Sequence, residues 1–400
     1  MTAAQRFPGW SVVWVAFIVA VFAWGVGFYG PSVFLLTLHT TRGWPISTIS
    51  AAITTHFLLS AAIVAFLPEL HRRFGIAQAT MAGAVLSALG LCAWASAAAP
   101  WQLVPATLLS GAGWALTSGA AINAMVARWF DHERPKALSL AFNGASIGGI
   151  VFTPLWVTLI AQLGLLTAAL AVGITMVAIV WPLAARFLKA GPADLGLQPD
   201  GRSAAAAAPE QRPKLPRSAL LRDRRFASLS TAFALGLFAQ IGLFAHLVAR
   251  LAPELGAGGA AAAVSLTTVS ALFGRTLLGW CIGERDRRVA SAANFLVQAV
   301  GTLLISFGTG LGPLMLGCVL FGLGVGNLVS LPPLIAQKEF ARADVGTVVA
   351  LVTAINQAVF ALAPVMFGAL RDASDSYALP FALAAGAQVV AAMIVLMRRR

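Results

Sequence analysis

The chain has 400 residues, 59% of them hydrophobic and 10% charged, with a mean hydropathy of +0.85; that is too apolar for a water-soluble globular protein of this length and places it in a membrane. Its net charge of +13 does not signal a nucleic-acid partner, because the basic residues lie between apolar runs, where Lys and Arg set membrane orientation. Cys92, Cys281 and Cys318 have neither disulfide nor metal-ligand spacing and read as small core residues, so no metal and no cofactor is expected.

A membrane-crossing helix needs about 20 apolar residues, and twelve runs qualify: roughly 10–37, 47–68, 75–97, 100–127, 136–163, 165–187, 226–252, 259–282, 289–308, 311–336, 345–369 and 377–397. The first follows no short signal-like segment with a small-residue cleavage site, so it reads as a span. With the N-terminus inside, 23 of the 27 Lys and Arg residues fall on the cytoplasmic side, including Arg72 and Arg73, Arg128, Arg134 and Lys136, and Arg398 to Arg400. That bias predicts an even number of spans with both termini cytoplasmic. The stretch 189–225, rich in Ala, Pro and Arg, reads as a cytoplasmic linker between an N-terminal bundle over 1–188 and a C-terminal bundle over 226–400. Its basic end, Arg217 to Arg225, either lies on anionic membrane lipids or is a solvated connector.

The two halves echo each other. Glu69 to Arg73 after the second run returns as Glu284 to Arg288 after the eighth, and Phe130 and Pro154 stand as Phe340 and Pro364 do. A duplicated six-span unit accounts for both pairs, and such repeats build one class of transporter.

The chain resembles the major facilitator superfamily over essentially its full length. The resemblance is carried by the twelve-run layout, by ELHRRFG (69–75), by ARWFDHERPKALSLAFNGASIGG (127–149) and by GPADLGLQPDG (191–201). Arg128-Trp-Phe130, Arg134 and the GPADLGLQPDG stretch are most similar to the monocarboxylate transporter and oxalate/formate antiporter branch. The first loop departs from the usual Gly-x-Leu-x-Asp-Arg pattern, with Glu69 and no Asp before Arg72. The resemblance implies an all-α integral membrane protein with twelve transmembrane helices in two pseudo-symmetric six-helix bundles, working by alternating access; no oligomer is implied, and a monomer is the default expectation.

Arg275 is the one charged residue set well inside a run, in 259–282. A guanidinium at membrane depth is costly, so it faces a polar cavity or a partner rather than lipid, and it is the expected anion receptor. Its structural alternatives are capping backbone carbonyls or snorkelling. His246, 29 residues earlier, is the first proton-coupling candidate, and the resemblance implies that a histidine and an arginine on these two helices share the substrate. Counted from the helix ends, His246 lies on the outer side of the midplane and Arg275 on the inner side. His56 is a second protonatable candidate. Tyr29, just before Gly30 and Pro31, Thr117 and Ser118 in the fourth run, and Asn327, Asn356 and Gln357 in the tenth and eleventh, are the expected polar lining; the alternative is interfacial anchoring for Tyr29 and interhelical packing for the others. The glycines of 111–113 and 322–326 lie inside apolar runs and read as close helix packing, not phosphate loops.

One embedded cation and no embedded acid favour a small monovalent anion, a monocarboxylate, over organic cations and dicarboxylates. Proton coupling then falls to His246, His56 or the substrate itself. The alternatives are an exchanger or exporter of a larger organic anion, or a non-transporting membrane receptor; no nucleophile-and-base set or metal cluster suggests an enzyme. The expected location is a bacterial-type inner membrane.

Overall fold

The computed structural model describes residues 7–130, 133–201, 216–282, 286–341 and 344–397. Arg6, Glu284, Arg285, Arg342, Arg398 to Arg400 and linker residues 202–215 lie outside them, as do the side chains of Arg134 and Cys281. Among the described residues there is no strand. In a bilayer every backbone polar group has to be satisfied internally, and in a chain without closed sheets the helix is the way to do it.

The helices, in chain order, are α1 (Gly9–Ala23), α2 (Tyr29–Arg42), α3 (Ile46–Ala65), α4 (Leu67–Phe74), α5 (Ile76–Ser96), α6 (Leu103–Thr117), α7 (Gly119–Ala127), α8 (Arg134–Leu163) and α9 (Leu165–Phe187). They continue with α10 (Arg217–Arg222), α11 (Arg224–Ile282), α12 (Arg287–Phe307), α13 (Leu311–Val325), α14 (Asn327–Glu339), α15 (Val345–Phe360), α16 (Ala363–Ser374) and α17 (Ala378–Leu396). Among the described residues, ten helical stretches are long and apolar enough to cross a membrane. Two differences separate this number from the twelve expected runs. The runs 226–252 and 259–282 share α11, which leaves helical geometry at Gly256 (φ 70°, ψ 167°), and the run 100–127 is divided between α6 and α7, each shorter than a membrane crossing. Exposed Leu108, Val151, Ile174, Leu277, Leu303 and Met393 give these helices apolar outer faces suited to lipid.

Two compact units are distinguished: Met1–Gly30 with Leu59–Pro209, and Pro31–Leu58 with Glu210–Arg400. A boundary drawn at the central loop would assign Pro31–Leu58 to the first half. The segment instead groups with the second unit because the first turns of α3 pack against α16 at Gly368, where an added Cβ would lie 2.6 Å from Ser50 Oγ and 3.1 Å from Ser47 Cα.

In the first unit, the span begun by α1 widens into a π-helical turn over Trp24–Phe28 before α2. Pro31 has no N–H, and its ring excludes the carbonyl four residues back, that of Gly27, so the regular ladder cannot be kept. The Tyr29 N–H reaches back to the Trp24 carbonyl, and the Gly25 carbonyl accepts from the buried indole N–H of Trp156 at 3.0 Å. Aromatic rings fill the space that the glycines leave: Phe152 over Gly25 and Trp114 over Gly27. The start of the linker is folded rather than loose. Asp194 Oδ2 accepts from Arg128 Nη2 at 3.1 Å and from the Gly191 N–H at 2.7 Å, and the Asp200 N–H donates to the Trp129 carbonyl at 2.9 Å.

In the second unit, apolar side chains including Phe233, Phe295, Leu331, Val348 and Val395 form the core near the start of α11. α11 crosses α13 and α14 at a row of glycines. A Cβ on Gly322 would meet the Thr267 carbonyl, one on Gly274 the Leu323 carbonyl, and one on Gly326 the Ala271 carbonyl at 2.9 Å. Gly324, on the other side of its helix, packs on Gln298. The glycines of 322–326 therefore do what the sequence suggested, letting helices approach closely.

Candidate functional site

The glycine crossing sets the position of Arg275. Gly274 lets α11 come against Leu323, and the next side chain lies at the point where α13 gives way to α14, around Gly326. Arg275 is half-buried, and its Nε donates to the Gly326 carbonyl at a long 3.4 Å. A Cβ on Gly326 would stand 2.9 Å from that Nε and 3.0 Å from Nη2, so glycine here is what leaves room for the guanidinium.

Asn327 follows Gly326 directly and opens α14, but its side chain turns to α12, the side on which Gly324 packs on Gln298, and not to the side on which Gly326 meets Arg275. The Asn327 amide is held in one orientation. Asn294 Nδ2 donates to the Gly324 carbonyl at 3.2 Å, which turns Asn294 Oδ1 toward Asn327 Nδ2 at 2.9 Å; that Nδ2 also donates to the Leu323 carbonyl at 3.1 Å. Both Asn327 bonds need an N–H, which leaves its Oδ1 as a buried acceptor with no partner among the described residues. Asn294 did not stand out in the sequence. The signal was present in the spacing of Ser291, Asn294, Gln298, Thr302 and Ser306, which puts one polar stripe on an otherwise apolar helix.

His246 is fully buried and engaged at both ring nitrogens. Nε2 lies 3.0 Å from the Pro364 carbonyl; a carbonyl only accepts, so Nε2 carries the hydrogen and Nδ1 is the acceptor, facing the Tyr377 hydroxyl at 3.4 Å. Ser50 Oγ stands 3.4 Å from the same Nε2, and Phe367 stacks on the ring at 6.2 Å. His246 is 10 residues before the break at Gly256 and Arg275 is 19 after it. At 1.5 Å rise per residue these are about 15 and about 28 Å down the two limbs of α11, so the pair sits at levels roughly 13 Å apart.

The remaining candidates are distributed. Asn356 is buried on α15 with Oδ1 unpartnered among the described residues, and Gln357 beside it is half-buried. His56 is buried on α3 with its ring edge-on to Phe57 at 5.0 Å. Tyr29, Thr117 and Ser118 belong to the first unit. Tyr29 is buried at the end of the π turn, Thr117 donates to the Gly113 carbonyl at 2.8 Å, and Ser118 is the extended residue at which α6 and α7 part.

Comparison with known proteins supplies a family. Residues 13–364 match the family model described as Major Facilitator Superfamily. The chain is 26% identical over 384 residues to monocarboxylate transporter 13 of Bos taurus, covering 94% of this chain and 86% of that protein. It is 29% identical over 264 residues to the MFS-type transporter hasB of Aspergillus fumigatus, covering 61% and 55%. In three dimensions it is similar to the crystal structure of the nucleoside transporter NupG, with a TM-score of 0.74 at 14% identity over 98% of this chain and 100% of that one.

Proposed function

Because the chain belongs to the Major Facilitator Superfamily and is therefore a multi-pass membrane transporter of a small molecule rather than an enzyme, we propose that its cargo is a small organic anion, a monocarboxylate, held at Arg275. The observation that carries this is the half-buried guanidinium set beside the α13–α14 break by a glycine crossing. A guanidinium grips a carboxylate through two parallel hydrogen bonds, which fixes orientation as well as charge. Asn327, locked by Asn294, lies at the same break with its side chain turned to α12. The similarity to a monocarboxylate transporter over nearly the whole chain supports the same cargo class.

Movement is by alternating access between two bundles, 1–188 and 226–400 joined by 189–225, with twelve crossings and both termini on the cytoplasmic side of a bacterial-type inner membrane. The distribution of Lys and Arg supports that orientation. Uptake is coupled to protons, and His246 or His56 carries the proton where the substrate itself does not.

Uptake of a radiolabelled monocarboxylate panel into proteoliposomes tests the reading. Arg275→Ala abolishes saturable uptake, and Arg275→Lys loses at least tenfold, because a point charge replaces the fork. Wild-type uptake of every monocarboxylate by Arg275→Ala overturns the assignment. His246→Gln uptake that no longer responds to a pH gradient assigns the proton to His246; an unchanged response removes it from the coupling scheme.

A further inference from the structure

The polar stripe of α12 ends in three buried side-chain atoms that no described protein group serves, and we propose that they bind ordered water: a short file of buried waters is a built-in ligand of the second unit, on the side of the α13–α14 break turned away from Arg275.

The three atoms fall on successive turns of one helix face. Asn294, Gln298 and Thr302 follow one another at a spacing of four along α12, so their side chains stand one above the next. Each turn leaves one atom over. At the first, Asn327 spends its N–H groups on Asn294 Oδ1 at 2.9 Å and on the Leu323 carbonyl at 3.1 Å, and its Oδ1 remains. At the second, Gln298 Nε2 donates to Gln240 Oε1 at 3.3 Å, and Gln298 Oε1 remains. At the third, Thr302 Oγ1 donates to Gln388 Oε1 at 3.0 Å, and Gln388 Nε2 remains. None of the three has a partner among the described residues, and all are sealed: Asn327 is 4% exposed, Gln298 and Gln388 0%. Left dry, each would carry the desolvation cost of a polar group with no bond in return.

Gly324 gathers the first two turns. Its added Cβ would lie 2.3 Å from Gln298 Cγ, and its carbonyl accepts from Asn294 Nδ2 at 3.2 Å. The side chains that carry the two free oxygens are therefore separated by one helical turn, about 5.4 Å, which a water donating to both at about 2.8 Å per bond spans. The mixture of groups selects the ligand. Two of the atoms accept and one donates. A cation is served by the oxygens and repelled by Gln388 Nε2, and an anion the reverse; water donates to the first two and accepts from the third. The stripe from Ser291 to Ser306 also holds no charged side chain that would neutralise an ion, and Arg288, ahead of it, is already closed off by Glu339 at 2.6 and 2.7 Å. Such waters are committed to the three atoms and cut off from bulk, so they do not replace a protein partner that is removed. Asn327, expected from the sequence in the polar lining, then serves water on the α12 side.

The test uses the full chain in lipid nanodiscs and needs no cargo, so it is readable whatever becomes of the assignment at Arg275. A high-resolution experimental structure shows density within hydrogen-bond distance of both Asn327 Oδ1 and Gln298 Oε1. X-ray hydroxyl-radical labelling in heavy-oxygen water, which modifies buried side chains that border ordered water, reads the same site through Phe295. Its ring lies 2.2 Å from where a Cβ on Gly236 would stand, one turn from Gln240. Phe295 is labelled at least fivefold more than Phe381, which is equally buried at 0% exposure. Gln298→Met keeps the side-chain length, removes both polar atoms and lowers Phe295 to the Phe381 level. Should that variant fail to fold, Asn327→Leu serves, with the same loss of label. Absence of density at both oxygens overturns the proposal, and so does wild-type labelling of Phe295 no higher than that of Phe381 or unchanged by the substitution. An unfolding midpoint raised by sodium chloride over choline chloride, with the rise lost in the variant, makes the occupant a cation and overturns it as well.

Discussion

The inner face of α12 is polar and buried, and the seam where the first turns of α3 and α16 meet around His246, with the Ser47 N–H on Asp372 Oδ2 at 2.8 Å and the Val365 N–H on Thr54 Oγ1 at 3.1 Å, is polar and part-buried; the two are made of different groups. Along α12, side-chain amides and hydroxyls in the middle of helices bond to one another: Gln298 Nε2 donates to Gln240 Oε1 at 3.3 Å and Thr302 Oγ1 to Gln388 Oε1 at 3.0 Å; in its last turn Ser306 Oγ donates to the Ala378 carbonyl at 2.9 Å. At its start, Arg288 is closed off by Glu339 at 2.6 and 2.7 Å, Ser228 at 2.9 Å, and the Val395 and Arg225 carbonyls at 3.0 and 3.1 Å. The seam uses backbone groups that helix ends leave unpaired. A polar group sealed in mid-helix has no substitute partner when its own is removed, whereas a helix-end N–H at a part-buried surface has bulk water. The stripe therefore ties α11, α12 and α17 together through groups that have no substitute partner, whereas the seam rests on groups that bulk water can also serve.

The contrast breaks most visibly at Arg288. Arg288→Met leaves the Glu339 carboxylate without its bidentate partner at a position only 19% exposed, a loss of roughly 3–5 kcal/mol. The expected outcome is a large drop in the thermal unfolding midpoint in detergent while exchange at Ser47 stays at the wild-type rate. Equal loosening of both regions would show that they are one cooperative unit. The next effect is at Gln298. Gln298→Leu strands Gln240 Oε1 in the block and costs about 1–3 kcal/mol, whereas the double variant Gln240→Leu/Gln298→Leu removes both polar groups and recovers much of that loss. A double-mutant cycle on the unfolding midpoint measures the difference; purely additive losses would mean the two amides are not paired.

How much of this was legible in the sequence follows from the distance between partners. The apolar runs were legible because lipid leaves the backbone few ways to satisfy itself, and Arg275 because a lone charge in such a run is rare. Pro31 marks a break in the regular ladder of the first span, and the π-helical turn falls one turn before it, over Trp24–Phe28, since a proline displaces the carbonyl four residues behind it. The setting of Arg275 depends on Gly274 and Gly326 meeting carbonyls of the opposing helices, which spacing along one strand of sequence cannot display. The seam was less legible still: Ser47 and Asp372 are 325 residues apart, and Tyr377 gave no sign of facing His246. His246 was linked to Arg275 because the resemblance implies a histidine and an arginine on these two helices sharing the substrate, whereas its contacts lie on α3, α16 and at the start of α17.

The smallest expected effect is also the sharpest discriminator between the two regions. Thr54→Val keeps the shape of the side chain and removes the one acceptor that the Val365 N–H finds across the seam. If that N–H can turn to water, the loss of stability is no more than about 1 kcal/mol, the net worth of an ordinary hydrogen bond, and the unfolding midpoint barely moves. Exchange at the Val365 amide nevertheless rises several-fold, because the bond that protected it is gone, while the α12 amides keep their wild-type rates. A loss of stability as large as that of Gln298→Leu would instead mean that the Val365 N–H is sealed from water, and the seam would then have to be counted with the fixed part of the molecule.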